Sequence, residues 1–240
     1  MTAPGRLLET EALVLRRTPF AEADLIVTLF TRDFGKVSAL ARGGRKSQHR
    51  FAGGLEAFHD LSVQLKPTRS DDLMLLADAN LSRARHKLTQ SLLAMQTAGK
   101  ALNWLRRTFP PKIVDNQAWR LIAQCLDTLD AAPPTESSRA DTVLAEFGLR
   151  LLNVLGWSLE FTKCVRCDKP CPDASPAYVS PRDGGVVCRA CGGHGPVLSA
   201  ALRNALAKAS QLESEGLVTD QSAIALSIVE RALMTHAGIE

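Results

Sequence analysis

Four cysteines in two matched pairs, Cys164-Val165-Arg166-Cys167 and Cys188-Arg189-Ala190-Cys191, carry the most specific chemistry in the chain. Each Cys-x-x-Cys knuckle lets two thiolates converge on one ion, and a hairpin between the knuckles can close a tetrahedron around it. The pattern predicts a structural zinc ribbon over about residues 162–196. Four protein thiolates fill the coordination sphere, leaving no position for a water or a substrate, which argues against a catalytic metal. Redox exchange is the competing reading. A second pair in the same short segment, with no βαβ pattern around it, fits that chemistry poorly. Cys171 and His194 flank the knuckles and are expected to stand aside as spectators; Cys125, in an apolar helical pattern, reads as a buried, inert thiol.

The second chemical signal is cationic. The net charge is only +4, but its distribution is uneven. No acid occurs from Phe34 to Leu55, where Lys36, Arg42, Arg45, Lys46 and Arg50 fall. None occurs from Ala79 to Val114 either, a stretch holding Arg83, Arg85, Lys87, Lys100, Arg106, Arg107 and Lys112. Distinct electropositive regions follow, suited to a polyanion. A solvated face is the ordinary reading of any single run of Lys and Arg, and two long acid-free stretches shift the balance toward phosphate.

The elements that must position these groups divide near residue 80, giving an expected domain of 1–80 and another of 81–240. Before the division, Ala12–Leu15, Leu25–Phe30, Val37–Leu40, Leu61–Leu65 and Leu73–Leu76 are short, β-compatible and punctuated by turns. Gly35 precedes Lys36 as a hairpin requires, and Gly43-Gly44 ends the third strand beside the basic loop Arg45-Lys46-Ser47-Gln48-His49-Arg50. Five such strands predict an OB-type barrel, a fold that binds single strands with cations for phosphates and aromatic rings for bases. Of Phe20, Phe30, Phe34, Phe51 and Phe58, most are expected in the core, and Phe51 beside Arg50 is the ring singled out for a base.

After residue 80 the apolar spacing is helical. Leu88 to Leu105, a segment after Asp115, Arg139 to Leu155, Ser199 toward Ser214 and Asp220 toward His236 predict helices, with the ribbon inserted among them. The fold class is therefore α+β: an N-terminal five-stranded OB-type β-barrel, then an all-helical domain with an inserted four-cysteine zinc ribbon. Within the ribbon, Tyr178-Val179 and Val186-Val187 flank the turn Pro181-Arg182-Asp183-Gly184-Gly185. The first residues, Met-Thr-Ala-Pro-Gly, lack the apolar core of a signal peptide, and no apolar run spans a bilayer. Together with zinc-type cysteine usage this implies a reducing cytoplasm and no membrane partner.

Several segments resemble the RecO family of bacterial recombination-repair mediators. They are Ala12-Leu13-Val14-Leu15, Ala23 to Thr31, Gly35-Lys36-Val37-Ser38-Ala39-Leu40-Ala41-Arg42-Gly43-Gly44-Arg45-Lys46-Ser47, Leu55-Glu56-Ala57-Phe58, and Leu152-Asn153-Val154-Leu155-Gly156-Trp157 followed by the knuckles. The resemblance implies a non-enzymatic mediator that binds single- and double-stranded DNA and anneals complementary strands. It implies work with RecR, contact with the acidic tail of single-strand-binding protein, and indirect help in placing RecA on gapped DNA. Some members of that family lack the cysteines, so zinc is assigned a structural role. On this reading Lys36, Arg42, Arg45, Lys46 and Arg50 meet one strand and Arg83, Arg85 and Lys87 extend the groove. Arg106, Arg107 and Lys112 serve a second strand or an acidic protein tail, with Arg203 and Lys208 as weaker candidates.

The chain holds no Gly-x-x-x-x-Gly-Lys-[Ser/Thr], Gly-x-Ser-x-Gly or His-Glu-x-x-His. His49, His59, His86, His194 and His236 are scattered and read as packing or surface residues. An enzyme would have to assemble a site without a motif. The remaining alternative is a zinc-stabilised protein adaptor without direct DNA binding; steep salt dependence of binding to bare strands separates it from a DNA binder.

Overall fold

Alternation of apolar and polar residues dictates the first half of the chain. In Gly35-Lys36-Val37-Ser38-Ala39-Leu40-Ala41 the odd positions are buried and the even ones partly exposed, the period of a strand with one face on a core. A computed structural model describes residues 7–46, 50–51, 55–68, 72–210, 217 and 221–238. Among them, β1 (Leu8–Phe20), β2 (Asp24–Thr31), β3 (Gly35–Ala41), β4 (Asp60–Lys66) and β5 (Met74–Arg83) close a barrel in the order β1-β2-β3-β5-β4. All pairings are antiparallel except β3 with β5. This is the expected OB-type barrel, filled by Val14, Val27, Leu29, Val37, Leu61, Val63 and Leu65 among others.

β1 runs well past the short strand expected at Ala12–Leu15. Its register with β2 shifts between Val14 and Arg16 and then continues to the pair Phe20↔Asp24. Its pairing with β4 covers only Leu8 to Ala12. Beyond Ala12, β1 is therefore paired on one side only, with β2, which goes on pairing with β3 as far as Leu25↔Ala41; this outer half of β1, ending in its hairpin to β2, forms an arm at the edge of the sheet.

Helices α1 (His86–Gln90), α2 (Leu92–Thr108) and α3 (Asn116–Ala131) follow. The single helix expected over Leu88 to Leu105 is broken at Ser91, which takes an extended conformation; its Oγ accepts the Ala94 N–H at 3.3 Å and caps α2. Asp115 caps α3, accepting from the N–H groups of Gln117 and Ala118. These helices cover part of the barrel's outer face. Phe30, fully buried, meets the Phe109 ring at 5.6 Å and the Trp119 ring at 6.1 Å. The chain after α2 also lies against the start of β3: the Lys112 N–H donates to the Lys36 carbonyl at 2.9 Å. Gly35, at φ +65, is required there twice over, because a Cβ would stand 2.1 Å from the Ile113 carbonyl oxygen.

Barrel and helices share one buried cation. Arg85, with a fully buried side chain, donates Nη1 and Nη2 to the two Asp60 oxygens at 2.8 and 3.0 Å, Nε to Asp127 at 2.9 Å, and Nη1 again to the Phe58 carbonyl at 2.7 Å. Burial by itself would lower its pKa, but hydrogen bonds and charge from Asp60 and Asp127 outweigh burial and raise it. The Arg85 N–H in turn donates to His59 Nδ1 at 3.0 Å.

The described residues fall into two compact units, one ending at Ala132 and one beginning at Pro133. In the second unit α4 (Ser137–Val154) packs on α6 (Ser222–Ala237) and on α5 (Ala200–Ala209). Between α4 and α5 lies a three-stranded sheet of β6 (Ala177–Ser180), β7 (Gly185–Val187) and β8 (Val197–Leu198), in the order β7-β6-β8. The hairpin of β6 and β7 falls where the apolar pairs placed it. Leu212, Ser214 and Asp220, expected within helices, lie outside the described residues. No described helix is long and apolar enough to cross a membrane.

The buried polar groups of the first unit can be tested in two ways. Arg85→Met should destabilise that unit by about 3–5 kcal/mol, since Asp60 loses its counter-ion in a buried setting and Asp127 keeps only Arg83; urea unfolding followed by the fluorescence of Trp104 and Trp119 measures it. His59 has its pKa lowered, first by burial and then by Arg85 and His86 against the opposing Glu56 and Asp130. The unfolded chain takes up the His59 proton near pH 6.5. Its stabilising contribution is therefore complete above that pH and lost as pH falls toward the lower folded value. The urea midpoint should drop on acidification from about pH 7 to pH 5.5, and His59→Asn, with an amide oxygen as a non-titrating acceptor, should flatten the drop.

Candidate metal centre and nucleic-acid interface

The sequence builds the metal centre from two tight turns. In the first knuckle the Asp168 N–H donates to the Cys164 carbonyl at 2.9 Å and the Cys164 N–H to the Lys169 carbonyl at 2.9 Å. In the second, residues Arg189–Cys191 form one 3-10 turn, and the N–H groups of Cys191 and Gly193 both donate to the Cys188 carbonyl. Gly193 permits this approach, since a Cβ would lie 2.4 Å from the Val187 carbonyl oxygen. Arg166 ties the knuckles together, donating Nη1 to the Cys191 carbonyl at 2.6 Å and Nη2 to Asp183 at 3.1 Å.

As a result the ligand atoms of Cys164, Cys167, Cys188 and Cys191 all lie within 4.8 Å of one another. Cys171 and His194 are not in this group. Cys171 bonds through its backbone to Thr162, and His194 Nδ1 is 2.8 Å from the Gly192 carbonyl. The electrostatics of the four sulfurs call for a cation. Backbone N–H groups, that of Cys188 first, bring the Cys164 thiol down to about 6. Hydrogen bonds from Cys167 and Cys188, with burial, push the Cys191 thiol up to about 12. Cys164 thus ionises readily and Cys191 resists; a divalent ion at the centre would allow four thiolates together. The donor set fits a closed, structural metal site, with N–H groups on sulfur as its outer support.

The predicted DNA-binding cations are not all brought to one place. Arg42, Arg45 and Lys46 are exposed on the turn after β3, and Arg50 is exposed at its return. This turn is anchored on every side. Gly43 N–H donates to Asp24 Oδ1 at 2.7 Å, Arg45 N–H to the Ala23 carbonyl at 3.0 Å, and Arg50 Nη2 to the Arg42 carbonyl at 2.7 Å. The Ala79 N–H donates to the Arg50 carbonyl at 3.0 Å, which lays the return against β5. Ser47, Gln48 and His49 lie outside the described residues. Arg83, four residues beyond Ala79 and so about 13 Å further along β5, is half-exposed and paired with Asp127 at 2.8 Å. Lys87 is exposed in the last turn of α1.

Four of the singled-out residues are wholly or partly buried. Arg85 is interior, held by two carboxylates and a carbonyl, and has no face for a phosphate. Lys36 is half-buried, and its Nζ donates to the Arg106 carbonyl at 2.7 Å at the C-terminal end of α2; burial, then the Arg106 charge, lowers its pKa. Phe51 is 3% exposed and belongs to the barrel core, with the Arg50 guanidinium 5.5 Å from its ring centroid. In the second unit Arg203 is likewise buried, bonded to the carbonyls of Phe161 and Pro172. Two cations escaped the sequence reading. Arg16 and Arg17 are both exposed on the arm of β1. The signal was there, since consecutive strand residues face opposite ways, and two cations in succession mark a stretch that buries neither side chain.

The match with known proteins covers both halves. Residues 6–85 match the family model described as Recombination protein O N terminal, and residues 92–239 that described as Recombination protein O C terminal. The chain is 36% identical over 193 residues to the DNA repair protein RecO of Geobacter sulfurreducens, covering 80% of this chain and 76% of that one. It is 32% identical to the protein of the same name from Bifidobacterium adolescentis, over 86% of this chain and 81% of that one. With that of Pelobacter propionicus it shares 29% identity over 95% of this chain and 91% of the other. A barrel followed by helices, a cluster of four cysteines and these matches at both ends make this chain a member of the RecO family of DNA repair proteins.

Proposed function

We propose that this protein is a non-enzymatic repair mediator that binds single- and double-stranded DNA and anneals complementary strands. With RecR it helps load RecA onto DNA coated by single-strand-binding protein. The observation that carries this reading is the anchored cationic turn Arg42–Lys46 with Arg50, fixed through backbone bonds to β2 and β5. Annealing requires that phosphates of two strands be neutralised while their bases stay free to pair, so contacts blind to sequence are the useful kind. A rigid turn whose cationic side chains are exposed supplies them at low ordering cost.

In this proposal Arg42, Arg45, Lys46 and Arg50 hold one strand, with Arg16 and Arg17 on one flank and Arg83 and Lys87 as an extension. Lys36 and Arg85 hold the fold instead. Arg107 and Lys112, exposed at and beyond the end of α2, are offered to a second strand or to the acidic tail of single-strand-binding protein. We assign zinc to the four cysteines, in a structural role suited to a cytoplasmic, reducing setting around the nucleoid.

Annealing of complementary oligonucleotides without nucleotide, across a salt series, tests the central reading. Affinity should fall steeply with salt. Arg42→Glu, Arg45→Glu and Lys46→Glu together should abolish annealing and flatten the slope of log affinity against log salt by about 0.7–0.9 for each phosphate no longer neutralised. Absence of DNA binding by the wild type at low salt would leave the zinc-stabilised adaptor as the better account. For the metal, the purified protein should carry one zinc per chain. Cys164→Ser with Cys167→Ser should lose it and melt the second unit at lower temperature, because metal binding and ribbon folding are coupled. Cys171→Ser should keep the metal. Metal analysis and thermal melts read both.

A further inference from the structure

Every phenylalanine, tyrosine and tryptophan ring among the described residues is buried or half-buried except one. Phe20 is 48% exposed. It closes the arm of β1 and β2, in the last pair Phe20↔Asp24, and the turn beyond it begins at Ala21 with φ 51. The ring is not among the residues that fill the barrel core. Edge strands are ordinarily blunted with charge, as Arg16 and Arg17 blunt the one that carries it; a phenylalanine at the tip does the reverse.

The tip is joined to the cationic turn. The Ala23 carbonyl accepts from the Arg45 N–H at 3.0 Å, the Glu22 carbonyl from Arg45 Nη1 at 3.2 Å, and Asp24 Oδ1 from the Gly43 N–H at 2.7 Å. Phe20 therefore stands next to a turn, Ala21–Ala23, whose far side is bonded to Arg45. After the register shift, Arg16↔Thr28, Thr18↔Ile26 and Phe20↔Asp24 lie on one face of the arm, so the ring and the Arg16 cation share a side. Exposed Glu22 decides what can arrive at the tip: its carboxylate repels a phosphate, leaving the strand's backbone to the arginines and a base to the ring.

We propose that Phe20 is a stacking platform for an unpaired base of single-stranded DNA, set at the end of the arm that the cationic turn holds in place. The inference rests on the DNA-binding reading above and adds a discrimination that phosphate contacts cannot supply. Every base has a π-face, so stacking favours unpaired strands without reading sequence. Bases in the interior of a duplex are already stacked and gain nothing from the ring.

The test is equilibrium binding of the full chain to a labelled single strand and to the matching blunt duplex, across a salt series, for wild type, Phe20→Ala and Phe20→Trp. Phe20→Ala should weaken single-strand binding by about 5- to 100-fold. It should leave the salt slope and duplex affinity unchanged, since every cation that meets a phosphate is still in place. Phe20→Trp should bind at least as well as wild type, and the strand should quench the added indole fluorescence beyond any change in Trp104, Trp119 and Trp157. Wild-type-like affinity of Phe20→Ala, an equal loss on duplex, or an unquenched indole would overturn the platform while the DNA-binding reading stands. A wild type that binds neither DNA form at low salt would remove that reading and the platform with it.

Discussion

A fully buried guanidinium holds the first half of this molecule together. Arg85 sits where β5 gives way to α1, and its bonds reach back to Phe58 and Asp60 at the start of β4 and forward to Asp127 on α3. A buried charge of this kind stabilises little by itself, because removal from water costs about as much as the ion pair returns. What it imposes is uniqueness. Only one placement of α3 on the barrel brings Asp127 to a cation that Asp60 already holds, and any other leaves a charge stranded. The same placement brings Asp130 to the Leu88 N–H at 3.0 Å and Trp119 to Phe30. Phe58 takes a left-handed conformation at φ 79 while presenting its carbonyl to Arg85, a local strain that the surrounding bonds over-determine.

The second unit repeats the device with different partners. Arg203 on α5 is buried among carbonyl oxygens, those of Phe161 and Pro172, which bracket the first knuckle in sequence. The ribbon is too small to bury a core of its own. It is secured to α5 by this arginine and internally by the sulfur cluster with Arg166 across its mouth. Sulfur cluster and arginine divide the task, the one closing the ribbon and the other docking it.

Burial thus sorts the cations by role. Lys36, Arg85 and Arg203 spend their donors on carbonyls and carboxylates inside the protein. Arg42, Arg45, Lys46 and Arg50, with Arg16 and Arg17, keep charge at the surface on backbone that is itself fixed.

The five strands, their one-sided alternation, the Asp115 cap and the Cys-x-x-Cys pairs were legible in the sequence, because each depends on residues within a few positions of one another. The cluster of Cys164, Cys167, Cys188 and Cys191 belongs with these, since the spacing of two knuckles around a hairpin is a local property carried across one turn. Whether a given arginine is surface or core is not local. Arg85 and Arg42 look alike in a run of cations, and Phe51 and Phe20 look alike beside arginines. Their placement was decided by Asp60 and Asp127 arriving from elsewhere in the chain, by the barrel closing over Phe51, and by β4 pairing with β1 only as far as Ala12, which leaves Phe20 half-exposed at the far end. Sequence pattern records what a residue is next to along the chain, whereas burial is set by which distant surfaces pack against it.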